Sequence, residues 1–246
     1  MAKIIIITQA RLQSKRLPKK ILMEINGESL LKIHLKSLSK SKHYKNLVVA
    51  TTMEKEIQNI ITILKRMSIK YYQGSTQDVL DRYYRASLPY NPDYVVRVTS
   101  DCPLIDANLI DEIIDYAIDK KVDYVSNNLI EEYPDGQDIE IISANALHIA
   151  WKRAESHHDR EHVTPFIKNN STFYGNNLFT SDNFSCNRNY NHVRMTVDEQ
   201  VDFEAIKILI NNLGTERDWF TYTRFIEDNQ YLFKNQQIIR NEGSKL

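Results

Sequence analysis

The chain has no excess of either charge: 32 Lys and Arg stand against 32 Asp and Glu in 246 residues. That absence argues against a general polyanion binder, because nucleic-acid-binding modules usually carry a basic surplus. It leaves room for one small anion held by a few local cations. Cysteine is scarce too. Cys102 and Cys186 stand far apart, without CxxC or zinc spacing, and read as free thiols of a reducing compartment. The longest early apolar run, Ile4 to Ile7, falls far short of the ~18 residues that span a bilayer. No cleavable leader pattern is present. The expectation is a soluble cytoplasmic protein without nucleic-acid or membrane partners. Internal repeats, low-complexity tracts and linkers are also missing. At roughly 100–200 residues per domain, a single domain over 1–246 is the economical reading. A chain of this size buries roughly 70–75% of its unfolded surface and needs no disulfide or structural metal.

What is present is an alternation of short β-branched runs and helical periods. Strands are expected at 3–8, 47–51, 69–73, 94–99 and 123–126, and helices at 29–38, 56–67, 79–88 and 107–119. The Ile4–Ile7 run lacks polar alternation, as expected of a strand covered on both faces. Alternation at this spacing predicts βαβ units on a mostly parallel sheet flanked by helices, an α/β fold. The second half is less regular. Strands are expected at 139–142 and 192–197, and helices at 144–154, 161–168, 201–213 and 222–232. The Asn-, Ser- and Phe-rich stretch 169–191 reads as an irregular β-containing insertion, hairpin or loop. A polar tail closes the 214–246 segment.

Open parallel sheets bind ligands at the carboxyl ends of their strands. Three segments expected there carry unusual polar chemistry. The first leaves strand one: Arg11, Lys15, Arg16, Lys19 and Lys20 put five cations within ten residues. With Ser14 and loop N–H groups they suit a triphosphate. Neither GxxxxGK[ST] nor GxGxxG occurs, so this is no P-loop or dinucleotide fingerprint. The second is Thr99-Ser-Asp-Cys-Pro-Leu-Ile-Asp106. Asp101 is placed either as a ligand to a hard cation or as an Asx turn, and Asp106 as a helix cap. The third is Arg194-Met-Thr-Val-Asp-Glu199, where Asp198 is either a second metal ligand or a helix cap. Together they describe a Mg²⁺–polyphosphate site. Other chemistry finds less support. His158 and His162 are four apart, but there is no HExxH and no third zinc ligand. No Gly-x-Ser-x-Gly supports a nucleophilic serine, and acidic neighbours disfavour a Cys102 thiolate. The fourteen tyrosines fall largely in regular elements and read as packing.

The loop Gln9-Ala10-Arg11-x-x-Ser14-x-Arg16-Leu17-Pro18-x-Lys20 resembles the signature of cytidylyltransferases that make CMP-activated sugars. Gly74-Ser75-x-x-Asp78-Val79-Leu80-Asp81-Arg82-Tyr83-Tyr84 narrows the resemblance to the SpsF-like branch, named from spore-coat polysaccharide synthesis. So do Asp101 to Asp106, Tyr133-Pro-Asp-Gly-x-Asp138-x-Glu140, Arg160-Glu-His-Val-Thr-Pro165, Thr196-Val-Asp198-Glu199 and Arg240-Asn-Glu-Gly243. Lys15 and Lys19 depart from the pattern, standing where the wider family often has a small residue and Gly.

The resemblance implies a GT-A-like, Rossmann-like fold that transfers CMP from CTP to a sugar acceptor and releases pyrophosphate, in surface polysaccharide or glycoconjugate synthesis. A 2-keto acid sugar or related sugar is the expected acceptor. Arg11, Arg16 and Lys20 would hold the phosphates, with Ser14 beside them. Asp101 and Asp198 would hold Mg²⁺. Ala10, Gly74 and Ser75 would border the cytosine, and Arg82 is either a nucleotide contact or an ion-pair partner of Asp78. Asp138, Glu140, Arg160, His162 and Arg194 are the acceptor-pocket candidates, with Arg160 or Arg194 suited to an acceptor carboxylate. A homodimer is expected, with 169–191 and the last helix as its surface. Two alternatives stand beside this reading: a sugar- or alcohol-phosphate acceptor giving a CDP product, or a nucleotide-binding protein without turnover.

Overall fold

The β-branched runs become buried strands, and what surrounds them follows from their lack of a polar face. In a computed structural model, which describes residues 2–14, 16–238 and 240, the chain alternates strand and helix through its first half. These elements are β1 Ile4–Ala10, a small hairpin β2 Glu24–Ile25 and β3 Glu28–Ser29, α1 Leu30–Leu38, β4 Leu47–Thr52 and α2 Gln58–Arg66. There follow β5 Lys70–Gly74, α3 Val79–Ser87, β6 Tyr94–Thr99, α4 Ala107–Lys120 and β7 Tyr124–Ser126. The second half adds β8 Glu140–Ser143, α5 Ala144–Arg153, α6 His157–His162, α7 Pro165–Asn169, β9 Ser181–Asn183, α8 Gln200–Leu213 and α9 Trp219–Asp228.

Seven strands form one sheet in the order β5-β4-β1-β6-β8-β7-β9. β1 pairs in parallel with both β4 and β6, and β4 with β5. β8 runs antiparallel to β6 and β7, so the sheet is mostly parallel. One face of β1 (Ile4, Ile6) packs under α1, α2 and α4; the other (Ile5, Ile7) packs under α3, α5 and α7. Burial on both faces explains the unbroken apolar run. The chain moves from β1 outward to β4 and β5, then returns to place β6 on the other side of β1. A crevice therefore opens between the carboxyl ends of β1 and β6.

Side-chain caps start the helices where the sequence suggests. Asp106 accepts from Asn108 N at 2.8 Å and caps α4, as expected, and Asp78 accepts from Asp81 N at 2.8 Å and caps α3. Three expectations need correction. Residues 192–197 form no strand of the sheet; Arg194 bridges only to Asp135, and the segment is held by loop contacts instead. The helix over 161–168 is broken at Val163, whose φ of 72° and Thr164 N–H to His162 carbonyl bond (2.9 Å) make a strained γ-turn. The last long helix lies at Trp219–Asp228, started by the Asp218 cap, and not at 222–232. The stretch 169–191 contributes β9, which adds to the sheet edge in parallel with β7. Lys15 and the 241–243 part of the Arg240-to-Gly243 motif lie outside the described residues.

Candidate active site

The loop leaving β1 folds back on itself, with Lys19 N–H donating to the Leu12 carbonyl at 3.0 Å. Lys19 takes the left-handed conformation (φ 57°) that favours glycine, and its ammonium pairs with Glu56. That turn delivers Lys20 into the crevice. Its ammonium donates to Asp101 Oδ2 (3.1 Å), Asp198 Oδ1 (2.8 Å) and the Val197 carbonyl (2.7 Å). Arg16 reaches the other oxygen of Asp198 at 2.9 Å. Residues far apart in sequence thus meet at one point, at the carboxyl ends of β1 and β6.

Two backbone devices bring the Asp198 segment there. Val197 N–H donates to the Asp101 carbonyl at 2.8 Å, laying the segment along the turn after β6. Gly136 (φ 111°) lets the 133–140 loop press against it; a Cβ there would stand 2.7 Å from the Met195 carbonyl carbon. Arg194 is buried and pinned by Asp135 (2.6 Å), Asp202 (2.8 and 3.0 Å) and Asp198 (3.3 Å). Asp202 also accepts from the N–H groups of Asp198 and Glu199. Glu199 is therefore the N-cap of α8, which frees the Asp198 carboxylate to face Lys20.

His34 was not anticipated. It is fully buried and joins Thr8 Oγ1 (2.9 Å) to the Cys102 carbonyl (2.8 Å), tying the Asp101 turn to β1. Burial pushes its pKa down to about 4, so it serves as a neutral strut. A lone histidine inside an amphipathic helix carries no motif that would have revealed it.

The remaining candidates are placed as follows. Ala10 is buried, and its carbonyl accepts from Thr51 Oγ1 at 2.8 Å. Ser14 Oγ lies 3.4 Å from Leu17 N, and Arg11 lies 3.6 Å from Glu161. Gly74 packs against the stem of Arg82, and Ser75 offers its carbonyl to the Arg82 guanidinium at 2.5 Å. Arg82 is fully buried and forms no ion pair with Asp78; Arg160 takes that role at 2.5 Å and also binds the Trp151 carbonyl. Asp138 is bonded by Arg240. Glu140 is buried among Arg97, Tyr124 (2.5 Å), Thr164 (2.7 Å) and Lys168 (3.2 Å). His162 stays half-buried at the turn into α7. The structure therefore gathers Arg16, Lys20, Asp101 and Asp198 directly. It commits Asp138, Glu140, Arg160 and Arg194 to partners within the protein.

Charge explains the electrostatics. Desolvation would raise the Asp101 carboxyl, but the Lys20 ammonium and the Thr99 hydroxyl overcome it and hold it well below the ordinary value. Burial likewise works against a charged Lys20, yet Asp101 and Asp198 raise its pKa. Burial pushes the Cys102 thiol up, which keeps it protonated and removes it as a nucleophile. Both cysteines are free.

A divalent ion implied by the resemblance can be tested against these groups. Among the described residues no three His, Cys, Asp or Glu side chains cluster as a metal cage. Asp101 and Asp198 nonetheless aim one oxygen each at a single point, marked by the Lys20 ammonium. Two carboxylates with room for phosphate oxygens and water fit a hard cation such as Mg²⁺. The His158 and His162 rings lie 4.6 Å apart, tilted by 46°, on α6, with no third ligand among the described residues.

A doubly covered, mostly parallel sheet with a cationic loop and a carboxylate pair at its switch point is the architecture of a nucleotidyltransferase. Residues 5–238 match the cytidylyltransferase family. The chain belongs to that family. It is 41% identical over 173 residues to an uncharacterised protein of Methanocaldococcus jannaschii, covering 70% of each chain. It is 32% identical over 225 residues to the spore coat polysaccharide biosynthesis protein SpsF of Bacillus subtilis, covering 89% of this chain and 90% of that one. A cytidylyltransferase from Leptospira borgpetersenii superposes with a TM-score of 0.90 at 30% identity, over 98% of this chain and 100% of that chain.

Proposed function

We propose that the protein transfers CMP from CTP to a sugar hydroxyl, releasing pyrophosphate, for the synthesis of a surface polysaccharide or glycoconjugate. The observation that carries this reading is the convergence of Lys20, Asp101 and Asp198 beside Arg16 at the β1/β6 crevice. The polysaccharide context rests on the similarity to SpsF.

In this reading the acceptor oxygen attacks the α-phosphorus in line and the bond to pyrophosphate breaks. Little covalent work falls to the protein, so positioning and charge neutralisation supply the catalysis. Arg11, Arg16 and Lys20 meet the charge that builds on the leaving pyrophosphate, and Ser14 lies in the same loop. Ala10, Gly74, Ser75 and Arg82 form the nucleoside side. Asp101 and Asp198 would hold Mg²⁺, which supplies charge neutralisation at the phosphates and lowers the pKa of the acceptor hydroxyl.

The acceptor side lies toward β8, near His162. Arg97 and Lys168 share the carboxylate of Glu140, Arg160 pairs with Asp78, Arg194 with Asp135, Asp198 and Asp202, and Arg240 with Asp138 and Glu131. The proposed acceptor is a sugar that carries a carboxylate, as in a 2-keto acid sugar. Among the described residues no helix is long and apolar enough to cross a membrane, which fits the proposed cytoplasmic location.

The test is a screen with CTP and Mg²⁺ over free sugars, 2-keto sugar acids and sugar phosphates, reading pyrophosphate release and product mass. A CMP-sugar from a free sugar or sugar acid is expected. A CDP product would assign the acceptor to the phosphates, and equal turnover with UTP or GTP would overturn the cytidylyl assignment.

A further inference from the structure

Two polar groups on the acceptor side of the crevice have no work in the transfer just described. β1 and β6 run in parallel with Ile7 opposite Arg97 and Gln9 opposite Thr99. Register partners in adjacent strands share a face, and so do residues two apart along a strand. Gln9 and Arg97 therefore stand on the same face, on neighbouring strands, one step apart toward the carboxyl end. That face is the one covered by α3, α5 and α7.

Each carries a buried polar atom without a hydrogen-bond partner among the described residues, Oε1 of Gln9 and Nε of Arg97. Both residues keep part of their surface, the Arg97 side chain 15% of it. Arg97 is already fixed: its Nη1 bonds Glu140, and its guanidinium lies 5.8 Å from the Tyr83 ring centre. The Nε–H is the part of the fork left over. Buried donors and acceptors are almost always paired, so a free donor and a free acceptor on one face of neighbouring strands call for partners from outside the chain. A polyhydroxylated molecule offers both an oxygen to accept and an adjacent hydroxyl to donate.

The position selects which substrate. Arg97 lies on β6, the strand whose following turn carries Asp101, and on the β8 side of β1. The Gly74–Ser75 loop lies on the opposite side, beyond β4.

We propose that Gln9 and Arg97 form the subsite that recognises the acceptor sugar. Arg97 Nε–H donates to an acceptor oxygen, and the Gln9 amide accepts from a neighbouring hydroxyl. Gln9 and Arg97 thereby fix which acceptor hydroxyl faces the α-phosphorus. This assignment rests on the cytidylyl-transfer reading.

The test uses Gln9→Leu, similar in size and unable to hydrogen-bond, and Arg97→Lys, which keeps a cation opposite Glu140 and removes the Nε–H. Steady-state kinetics are run at saturating CTP with the acceptor that turns over best in the screen. Calorimetry with Mg·CTP is run in parallel. Loss of one hydrogen bond to substrate is expected to raise the acceptor KM about 10-fold in each variant, with CTP affinity unchanged. An unchanged acceptor KM in Gln9→Leu overturns the assignment, and so does an equal loss of CTP affinity, which would place the pair on the nucleotide. The Gln9 side chain makes no hydrogen bond among the described residues whose loss would unfold the protein, so this variant decides the matter if Arg97→Lys is unstable. Wild-type turnover with unaltered variants overturns this subsite alone. No pyrophosphate release by wild type with any acceptor overturns the transfer reading itself, and the subsite with it.

Discussion

Lys20 does more than add a cation to a basic loop. Without nucleotide, its ammonium holds Asp101 and Asp198 together at a spacing suited to one positive ion. In the proposed transfer, removing it would take away charge neutralisation where pyrophosphate leaves. Lys20→Met is expected to lower kcat/KM for CTP by about 10²–10³-fold, the cost typical of losing one preorganised electrostatic group; an initial-rate assay of pyrophosphate release checks it. Glu140 makes a separate claim about stability. Burial would raise its pKa, but Lys168, Arg97 and the Tyr124 and Thr164 hydroxyls pull it from 4.5 down to about 2. A folded-state pKa below the unfolded one stabilises the fold above about pH 4.5, and this stabilisation is lost as pH falls through about 2. The contribution is on the order of 3 kcal/mol. Urea denaturation between pH 5 and 3 should therefore show a steeper loss in wild type than in Glu140→Gln, and parallel curves would contradict the assignment. Of the residues at this scale, Arg16, Lys20 and Asp101 were legible because position after a strand and side-chain chemistry coincide, whereas Asp198 was singled out at the end of an expected strand that is a loop segment. His34, Gln9 and Arg97 were not assigned a role, since their significance comes from neighbours on other strands.

At the scale of elements, the strands and helices of the first half followed directly from their periodicity. The departures occur where tertiary contacts override local pattern. His192 to Val197 alternates like a strand, but its N–H and carbonyl groups go to the Asp135 and Asp101 loops, and so it lines the crevice instead of joining the sheet. The helix expected over 161–168 gives way to the strained turn at Val163, which places Thr164 on Glu140 and leaves His162 at the proposed acceptor side. No local propensity announces a β-branched residue at positive φ; surrounding packing imposes it. The loop 133–140 makes the same point through Gly136. Gly136→Ala would drive a Cβ into the Met195–Thr196 backbone at 2.7–2.9 Å. A loss of about 2–3 kcal/mol is expected from overpacking and backbone strain together. Displacement of the Asp198 segment should lower turnover in the molecules that still fold. Chemical denaturation and an activity assay on the same preparation check both.

Across the whole molecule, zero net charge is a cancellation with a spatial order. Cations of the β1 loop meet acids delivered by the turn after β6 and by the segment before α8, and the crevice between them is the proposed place of CTP and its metal. The proposed dimer belongs to this scale. Phe173 and Tyr174 in the 169–191 segment are 38% and 55% exposed, on the side of the sheet that ends in β9. Light scattering is expected to give twice the chain mass for wild type and a shift toward monomer for Phe173→Ser with Tyr174→Ser. A wild-type monomer would remove the dimer from the account. The central claim is that Asp101 holds the metal that works on CTP. The measurement that tests it most directly is the Mg²⁺-dependent rate of pyrophosphate release from CTP by Asp101→Asn, beside a thermal melt to establish that it is folded. A folded variant with turnover reduced at least about 100-fold is the expected result; turnover equal to wild type would contradict it.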